Sequence, residues 1–239
     1  MKKLLVLALV AIVVLLAGTG CSSRDPEVLN INRASASESG IALAIVYDNS
    51  GSMDEDVLNE AGEKESKKDI ARRALVKVVE SLKSYSDLGS KKIQVGVVTF
   101  GFGSPSIAVD MQDFNYETLL EYADHTGGGQ NTPLGVSIEA AAGLVLQSPM
   151  NEKHIIILSD GLNNMGPDPI DILSSPEYVK VTSEYPVGSY FVAFDISGDQ
   201  FSNLEPLGVK IFEATDEKDL DLKFSEILVK EILFEDPEQ

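Results

Sequence analysis

Residues 41–52, IALAIVYDNSGS, hold an unbroken apolar run that ends in a carboxylate and is followed by two hydroxyls at alternate positions. A run of this kind, with no polar alternation, suits a central strand buried on both faces of a parallel sheet. Asp48, Ser50 and Ser52 would then lie on the loop at that strand's carboxyl end, where open α/β sheets bind their ligands. Gly51 lets the backbone turn between the two hydroxyls.

The same pattern recurs along the chain. Residues 93–100, 155–158 and 187–194 form apolar stretches with few polar interruptions, and 209–212 adds a shorter one. Residues 106–112 alternate more and read as an edge strand. Between these stretches apolar residues return at helical spacing: Ile70, Ala74, Leu75, Val78, Val79 and Leu82 would line one face of a helix over 64–84. Residues 136–146 are Ala-rich and are entered through Pro133, a residue well tolerated in a first turn. Leu220, Phe224, Ile227, Leu228 and Ile232 predict a last amphipathic helix ending near Glu235. Strand and helix in alternation predict a doubly wound α/β fold, a mostly parallel sheet with helices on both faces.

Composition bounds the function. The chain has 239 residues, enough for one large α/β core and a targeting segment. Its hydrophobic share of 44% and charged share of 24% are those of a folded globular protein. With 38 acidic against 19 basic residues and a formal charge of -19, the chain would repel phosphates, which argues against a nucleic-acid partner.

The first residues have the grammar of a processing signal. Lys2 and Lys3 precede an apolar run over 4–17, then Gly18, Thr19, Gly20 and Cys21. The run is shorter than the roughly 20 residues a membrane-crossing helix needs. Small residues ahead of a lone cysteine resemble a bacterial lipobox, which implies cleavage before Cys21 and attachment of diacylglycerol to its sulfur. Gly18 stands where that motif usually has Leu, so ordinary signal-peptidase cleavage is the alternative. Cys21 is the only cysteine, so no disulfide can form within the chain. The division expected is a lipoprotein signal peptide over 1–20, a polar tether over 21–39, one domain over 40–235 and a short tail over 236–239.

Two more segments carry chemistry. Residues 127–135, GGGQNTPLG, form a flexible loop that delivers the Thr132 hydroxyl at a helix start, and residues 155–158 run into Ser159, Asp160 and Gly161, a second carboxylate at a second strand end. Each segment alone can be a helix cap or a turn. The alternate oxygens of Asp48, Ser50 and Ser52 can converge on one point, and oxygen-only donors suit a hard cation, Mg²⁺ or Ca²⁺, rather than zinc. Residues 53–68, which carry six acidic side chains, are longer than a usual strand–helix connection and read as a solvated acidic loop, or else as a specificity loop or second cation site beside the first. Met53 is read as a core or rim residue, and His125 and His154 as structural or surface residues.

In order and in context these pieces resemble the metal-ion-dependent adhesion site of von Willebrand factor A domains: Asp-x-Ser-x-Ser after the first strand, a Thr in a Gly-rich loop ahead of a helix, an Asp after the fourth strand. The matching positions are Asp48, Ser50, Ser52, Thr132 and Asp160. Many family members place that Thr one or two residues nearer the glycines, where Gln130 and Asn131 stand. Residues 95–100 and Asn164 extend the likeness, which spans about 40–235. The resemblance implies a Rossmann-like fold, a bound Mg²⁺ (or Ca²⁺ or Mn²⁺), and an open coordination position for an acidic side chain of a protein partner. The implied function is that of a cell-envelope lipoprotein, held to the membrane by its N-terminal lipid, that binds a protein and is not an enzyme. The alternatives are a metal-dependent phosphoesterase-type hydrolase and a scaffold that a metal merely stabilises. For the hydrolase, Ser50 stands where an aspartyl phosphotransferase would want a second acid, and the Gly-rich loop lacks a phosphate-binding Lys.

Overall fold

A computed structural model describes residues 36–89, 91–100, 104–124 and 129–234. The signal segment with Cys21, His125, Gly127, Gly128 and the tail over 236–239 lie outside them, as does the tether except at its end.

Strand β1 (Glu38–Asp48) leads into a 3₁₀ turn (Gly51–Asp54) and a two-stranded hairpin, β2 (Asp56–Leu58) and β3 (Lys64–Ser66). Helix α1 (Lys67–Asp87), β4 (Lys92–Phe100), β5 (Ser106–Asp113), α2 (Tyr116–Asp124) and α3 (Leu134–Gln147) follow. Then come β6 (Met150–Ser159), α4 (Pro169–Leu173), α5 (Pro176–Glu184), β7 (Gly188–Phe194), a 3₁₀ segment (Gly198–Leu207), β8 (Val209–Ala214), and α6 (Glu217–Glu226), which continues as a π-helical stretch (Ile227–Leu233).

The main sheet has the order β5-β4-β1-β6-β7-β8. All neighbours are parallel except β4 and β5. This is the doubly wound, mostly parallel sheet expected, with residues 106–112 on its antiparallel edge. β1 lies at its centre, and the chain winds first to one side of it and then to the other. The crevice beside its carboxyl end is therefore the switch point where such sheets place a site.

Side chains alternate across β1. Ile41, Leu43, Ile45 and Tyr47 face one core with Ile70, Val78 and Leu82 of α1, Leu119 of α2 and Leu220 and Phe224 of α6. Ala42, Ala44 and Val46 face the other, with Leu134, Ile138 and Ala141 of α3, Ile172 of α4 and Tyr178 of α5. Small residues on this second face let the Ala-rich α3 come close. Every β1 residue from Ile41 to Tyr47 is buried, which is why the strand reads as a continuous apolar run. Fully burying one such Ile or Leu is worth about 1.5–3 kcal/mol.

Some expectations shift. The strand pairing of β1 reaches back to Glu38, so the last two positions of the expected tether are ordered. The helix expected from residue 64 begins at Lys67, because Lys64–Ser66 pairs with Asp56–Leu58 instead. The 53–68 segment is thus a turn and hairpin rather than an open acidic loop. Asn59 makes the hairpin turn, its side-chain oxygen accepting from the amides of Ala61 (3.0 Å) and Glu63 (2.9 Å). Arg73 of α1 then binds Glu65 of the hairpin and Glu217 of α6, and the Glu60 amide donates to Glu217 at 2.7 Å. Met53 is wholly buried in the first core.

Candidate functional site

Three neighbouring strands leave the sheet at an aspartate: β1 at Asp48, β6 one residue before Asp160, β7 one residue before Asp195. The register fixes their proximity, since Tyr47 pairs with Leu158 and Leu158 with Val192.

Asp48 is wholly buried. One of its oxygens accepts the Ser50 amide at 2.7 Å and the other accepts the Ser159 hydroxyl at 2.5 Å, both neutral donors. Burial pushes its carboxyl up to about 6, although those two hydrogen bonds pull the other way. The loop after it is tied down on both sides. The Asn49 side-chain amide donates to Thr99 Oγ1 at 2.9 Å, the Asn49 carbonyl accepts the Gly129 amide at 2.7 Å, and the Met53 amide closes the turn onto the Ser50 carbonyl.

The hydroxyls continue the chain of contacts. Ser50 Oγ and Ser52 Oγ are 3.0 Å apart, and Ser52 Oγ donates to Asp160 Oδ1 at 2.7 Å. Thr132 is clasped by Asn164: its amide donates to Asn164 Oδ1 at 2.8 Å, and its carbonyl accepts the Asn164 amide at 3.1 Å. Gly161 separates Thr132 from the serines. A Cβ there would stand 3.5 Å from Thr132 Oγ1 and 3.7 Å from Ser52 Oγ, so a methyl group would fill the space between the two hydroxyls. The structure thus joins Asp48, Ser50, Ser52 and Asp160 around one loop pair and sets Thr132 across Gly161 from Ser52.

This donor set fits a hard divalent ion. A carboxylate sealed from water with only neutral donors is an anion in want of a cation, and hydroxyl and carboxylate oxygens are what Mg²⁺ takes. Among the described residues no three His, Cys, Asp or Glu side chains gather in a way that could hold a metal ion, so a cation here would depend on hydroxyls and water beside two carboxylates. His154 is not among its neighbours. It lies in the first half of β6, buried, with Nδ1 3.3 Å from the Tyr190 hydroxyl.

The sequence reading missed two charged members of the site, Lys67 and Asp195. Lys67 is 4% exposed, and its Nζ lies 3.0 Å from Asp160 Oδ2, 3.0 Å from Asp195 Oδ2 and 3.3 Å from Glu55 Oε2. Burial alone would lower the pKa of this ammonium, but Asp160 and Asp195 outweigh it and hold the value above the ordinary lysine range. A signal was legible. Ser66 caps α1, accepting the Asp69 amide at 3.2 Å, and Ser66-x-x-Asp69 is readable as a cap. That cap puts Lys67 in the first turn, where a cation opposes the helix dipole and calls for a reason. Asp195 could have been found as an acid directly after an apolar strand. It takes a left-handed backbone (φ 53°), uncommon outside glycine, and its amide bonds the Ala214 carbonyl at 2.8 Å.

Comparison with known proteins agrees with this architecture. The chain resembles the PilB minor pilin from Streptococcus sanguinis (18% identity, TM-score 0.59, covering 80% of this chain and 61% of that one). It also resembles a von Willebrand factor type A protein from Catenulispora acidiphila (16%, 0.61, covering 81% and 43%). A third likeness is to the vWF domain of the type V pili tip protein Mfa5 from Porphyromonas gingivalis (13%, 0.59, covering 80% and 94%). At these identities the likeness is one of fold, and the chain spans less than two thirds of the pilin's length. Among curated proteins none matches. The model of the von Willebrand factor type A domain matches residues 42–220, from the centre of β1 into α6, and the chain belongs to that family.

Proposed function

We propose that Asp48, Ser50, Ser52, Thr132 and Asp160 hold a divalent cation, Mg²⁺ above all, through which the chain grips a protein partner at the cell envelope. The observation that carries this reading is the unbroken contact chain Asp48–Ser50–Ser52–Asp160 at the carboxyl ends of β1 and β6. When bound, the ion supplies a Lewis-acidic position for a partner's carboxylate, since few anionic ligands leave it residual positive charge. This chain's own residues do the positioning: Ser159 and the Ser50 amide fix Asp48, Asn164 fixes Thr132, and Met53 anchors the loop in the core. The charge of -19 opposes an acidic partner, but salt screens beyond about 8 Å while a coordinated ion acts at contact.

Binding rather than catalysis is favoured by the residues present. The hydroxyls lean on each other and on Asp160, and His154 is committed to Tyr190, so among the described residues no histidine base serves them. A lipid on Cys21 would hold the domain on the extracytoplasmic side of a membrane. No helix among the described residues is long and apolar enough to cross one. A minor pilin and a pili tip protein are among the structural relatives, which accords with this location.

Pull-down of envelope extract on the full chain tests the proposal. The wild type should retain a partner in Mg²⁺ and release it in chelator, and Asp48→Ala should retain at least about 10-fold less. Capture that survives both chelator and Asp48→Ala sinks the cation reading. A metal that serves only as a scaffold would raise the melting temperature with no cation-dependent capture.

A further inference from the structure

The feature that the cation site leaves unused is the ammonium beside it. Lys67 stands in the first turn of α1, against the helix dipole, and is buried, and both placements are unfavourable for a cation without fixed anions. The Asp160 side chain is fully buried, while Asp195 is 42% and Glu55 71% exposed, so the sheltered pair is Lys67 with Asp160. Asp160 is thereby divided: Oδ1 takes the Ser52 hydroxyl of the cation loop and Oδ2 takes the lysine.

We propose that Lys67 is a resident counter-ion of the cation site. Its ammonium holds Asp160 and Asp195 in place without a metal, and its charge keeps a lone divalent ion weakly bound until a partner's carboxylate joins it. The inference rests on the cation reading of the preceding subsection and deepens it by naming the residue that ties cation binding to partner binding.

The charges make the case. Asp48 and Asp160 bring the anionic charge nearest the hydroxyls, and Lys67 cancels part of it across a hydrogen bond. A doubly charged ion added to that group leaves it net positive, which a carboxylate from outside corrects. Asp195 and Glu55 also face Lys67, but solvent reaches both and screens them. The Asp160 side chain has no such relief, so without Lys67 and without a metal it is a buried, uncompensated charge. Like charges on either side of one carboxylate repel strongly enough, at the effective dielectric of a protein rim, to alter an affinity about tenfold or more.

The test compares full-length wild type with Lys67→Gln, which keeps a hydrogen-bond donor but no charge, and Lys67→Arg, which keeps the charge. Each is titrated with Mn²⁺ alone by calorimetry and melted with and without chelator. The expected result is Mn²⁺ binding about tenfold or more tighter in Lys67→Gln and near wild type in Lys67→Arg. In chelator, Lys67→Gln should melt below wild type and recover with Mn²⁺, whereas wild type should scarcely move. Lys67→Met, with the same stem and no charge, carries the comparison if the glutamine variant does not fold. A neutral variant that binds Mn²⁺ no tighter than a wild type that does bind it overturns the role of Lys67 and leaves the cation site standing. No Mn²⁺ binding by any of the chains overturns the cation site and this inference with it.

Discussion

Gly135, in the first turn of α3, is the residue whose smallest possible enlargement should reach the site. A Cβ there would stand 2.2 Å from the Pro167 carbonyl oxygen and 3.0 Å from the Asp168 carbonyl carbon, so the obstacle is backbone that cannot rotate away. Restoring ordinary contact requires α3 and the segment over 161–168 to part by roughly 1 Å, since close carbon–oxygen contacts lie near 3.3 Å. That displacement acts on the bonds of the site. The Gly135 amide lies 3.5 Å from Asn163 Oδ1, and the Thr132 amide bonds Asn164 Oδ1 at 2.8 Å across the same seam. Overpacking of this kind costs about 1–3 kcal/mol, and the stretched clasp adds about 1 kcal/mol more. Gly135→Ala should therefore lose roughly 3 kcal/mol by urea denaturation, which for a domain of this size lowers the melting temperature by about 10 °C. Thr132 should move with it, so the Mg²⁺ binding proposed for this site, read by calorimetry, should weaken about 10-fold even where the protein is fully folded. An alanine variant with wild-type stability and wild-type Mg²⁺ affinity refutes the claim that this contact sets the position of Thr132.

Two further outcomes can be checked directly. His154 is pushed by burial down to about 4, so its stabilising contribution is present above the ordinary value of 6.5 and is lost as pH falls from 6.5 towards 4; Asp48, pushed up to about 6, has the opposite sign in metal-free protein, its contribution being lost as pH rises from 3.8 towards 6. In chelator, His154→Gln should lose about 2 kcal/mol less than wild type, and Asp48→Asn about 2 kcal/mol more, when urea unfolding is compared at pH 6.5 and pH 4.5; shifts of the reverse sign refute the burial argument. At the N-terminus, Cys21→Ser removes the sulfur a lipid would use and should move the chain from the membrane pellet to the soluble fraction, and pelleting that persists in high salt speaks against the anchor.

What the sequence disclosed follows from how each element is buried. β1 was legible because both its faces are covered, leaving no polar residue to break the run. The first half of β6 was hidden because Lys153 and His154 interrupt it. Both are buried, and Lys153 lends its ammonium to the carbonyls of Val145, Ser148 and Met150 where α3 gives way to β6, at 3.0, 2.8 and 2.8 Å. A long-range polar role of this sort leaves no periodic trace. α4 and α5 are too short for apolar periodicity, although Asp168 ahead of Pro169 and Ser175 ahead of Pro176 are readable caps. The hairpin β2–β3 has strands of three residues and no apolar alternation, so nothing marked it except the Asn59 turn. Of the site, the two serine hydroxyls and the two carboxylates could be read because they stand at or just after strand ends in a fixed spacing, and Thr132 because it lies in a Gly-rich loop ahead of a helix. Lys67 follows no strand of the main sheet, and only the Ser66-x-x-Asp69 cap could have placed it at the start of its helix.

The division of labour in the site explains why its parts differ in legibility. Sheet register brings Asp48, Asp160 and Asp195 to one rim in a staggered row: with Tyr47 opposite Leu158 and Leu158 opposite Val192, Asp160 stands one residue and Asp195 two residues beyond the level of Asp48. A slip of one residue in β6 would turn Asp160 towards the opposite face and end the contact with Ser52. The hydroxyls depend on loop closure onto that rim, and the ammonium depends on where α1 starts. The apolar cores on both faces of β1 lie directly beneath. They lower the local dielectric, and attraction among the few charges above them is correspondingly stronger than on an open surface. The same apolar surroundings raise the cost of any one of those charges left alone. A rim built in this way is held together by balance: removing Asp160 takes from Lys67 its one sheltered anion and leaves it the solvent-reached Asp195 and Glu55, removing Lys67 leaves Asp160 uncompensated, and the two substitutions made together should cost less than the sum of each made singly.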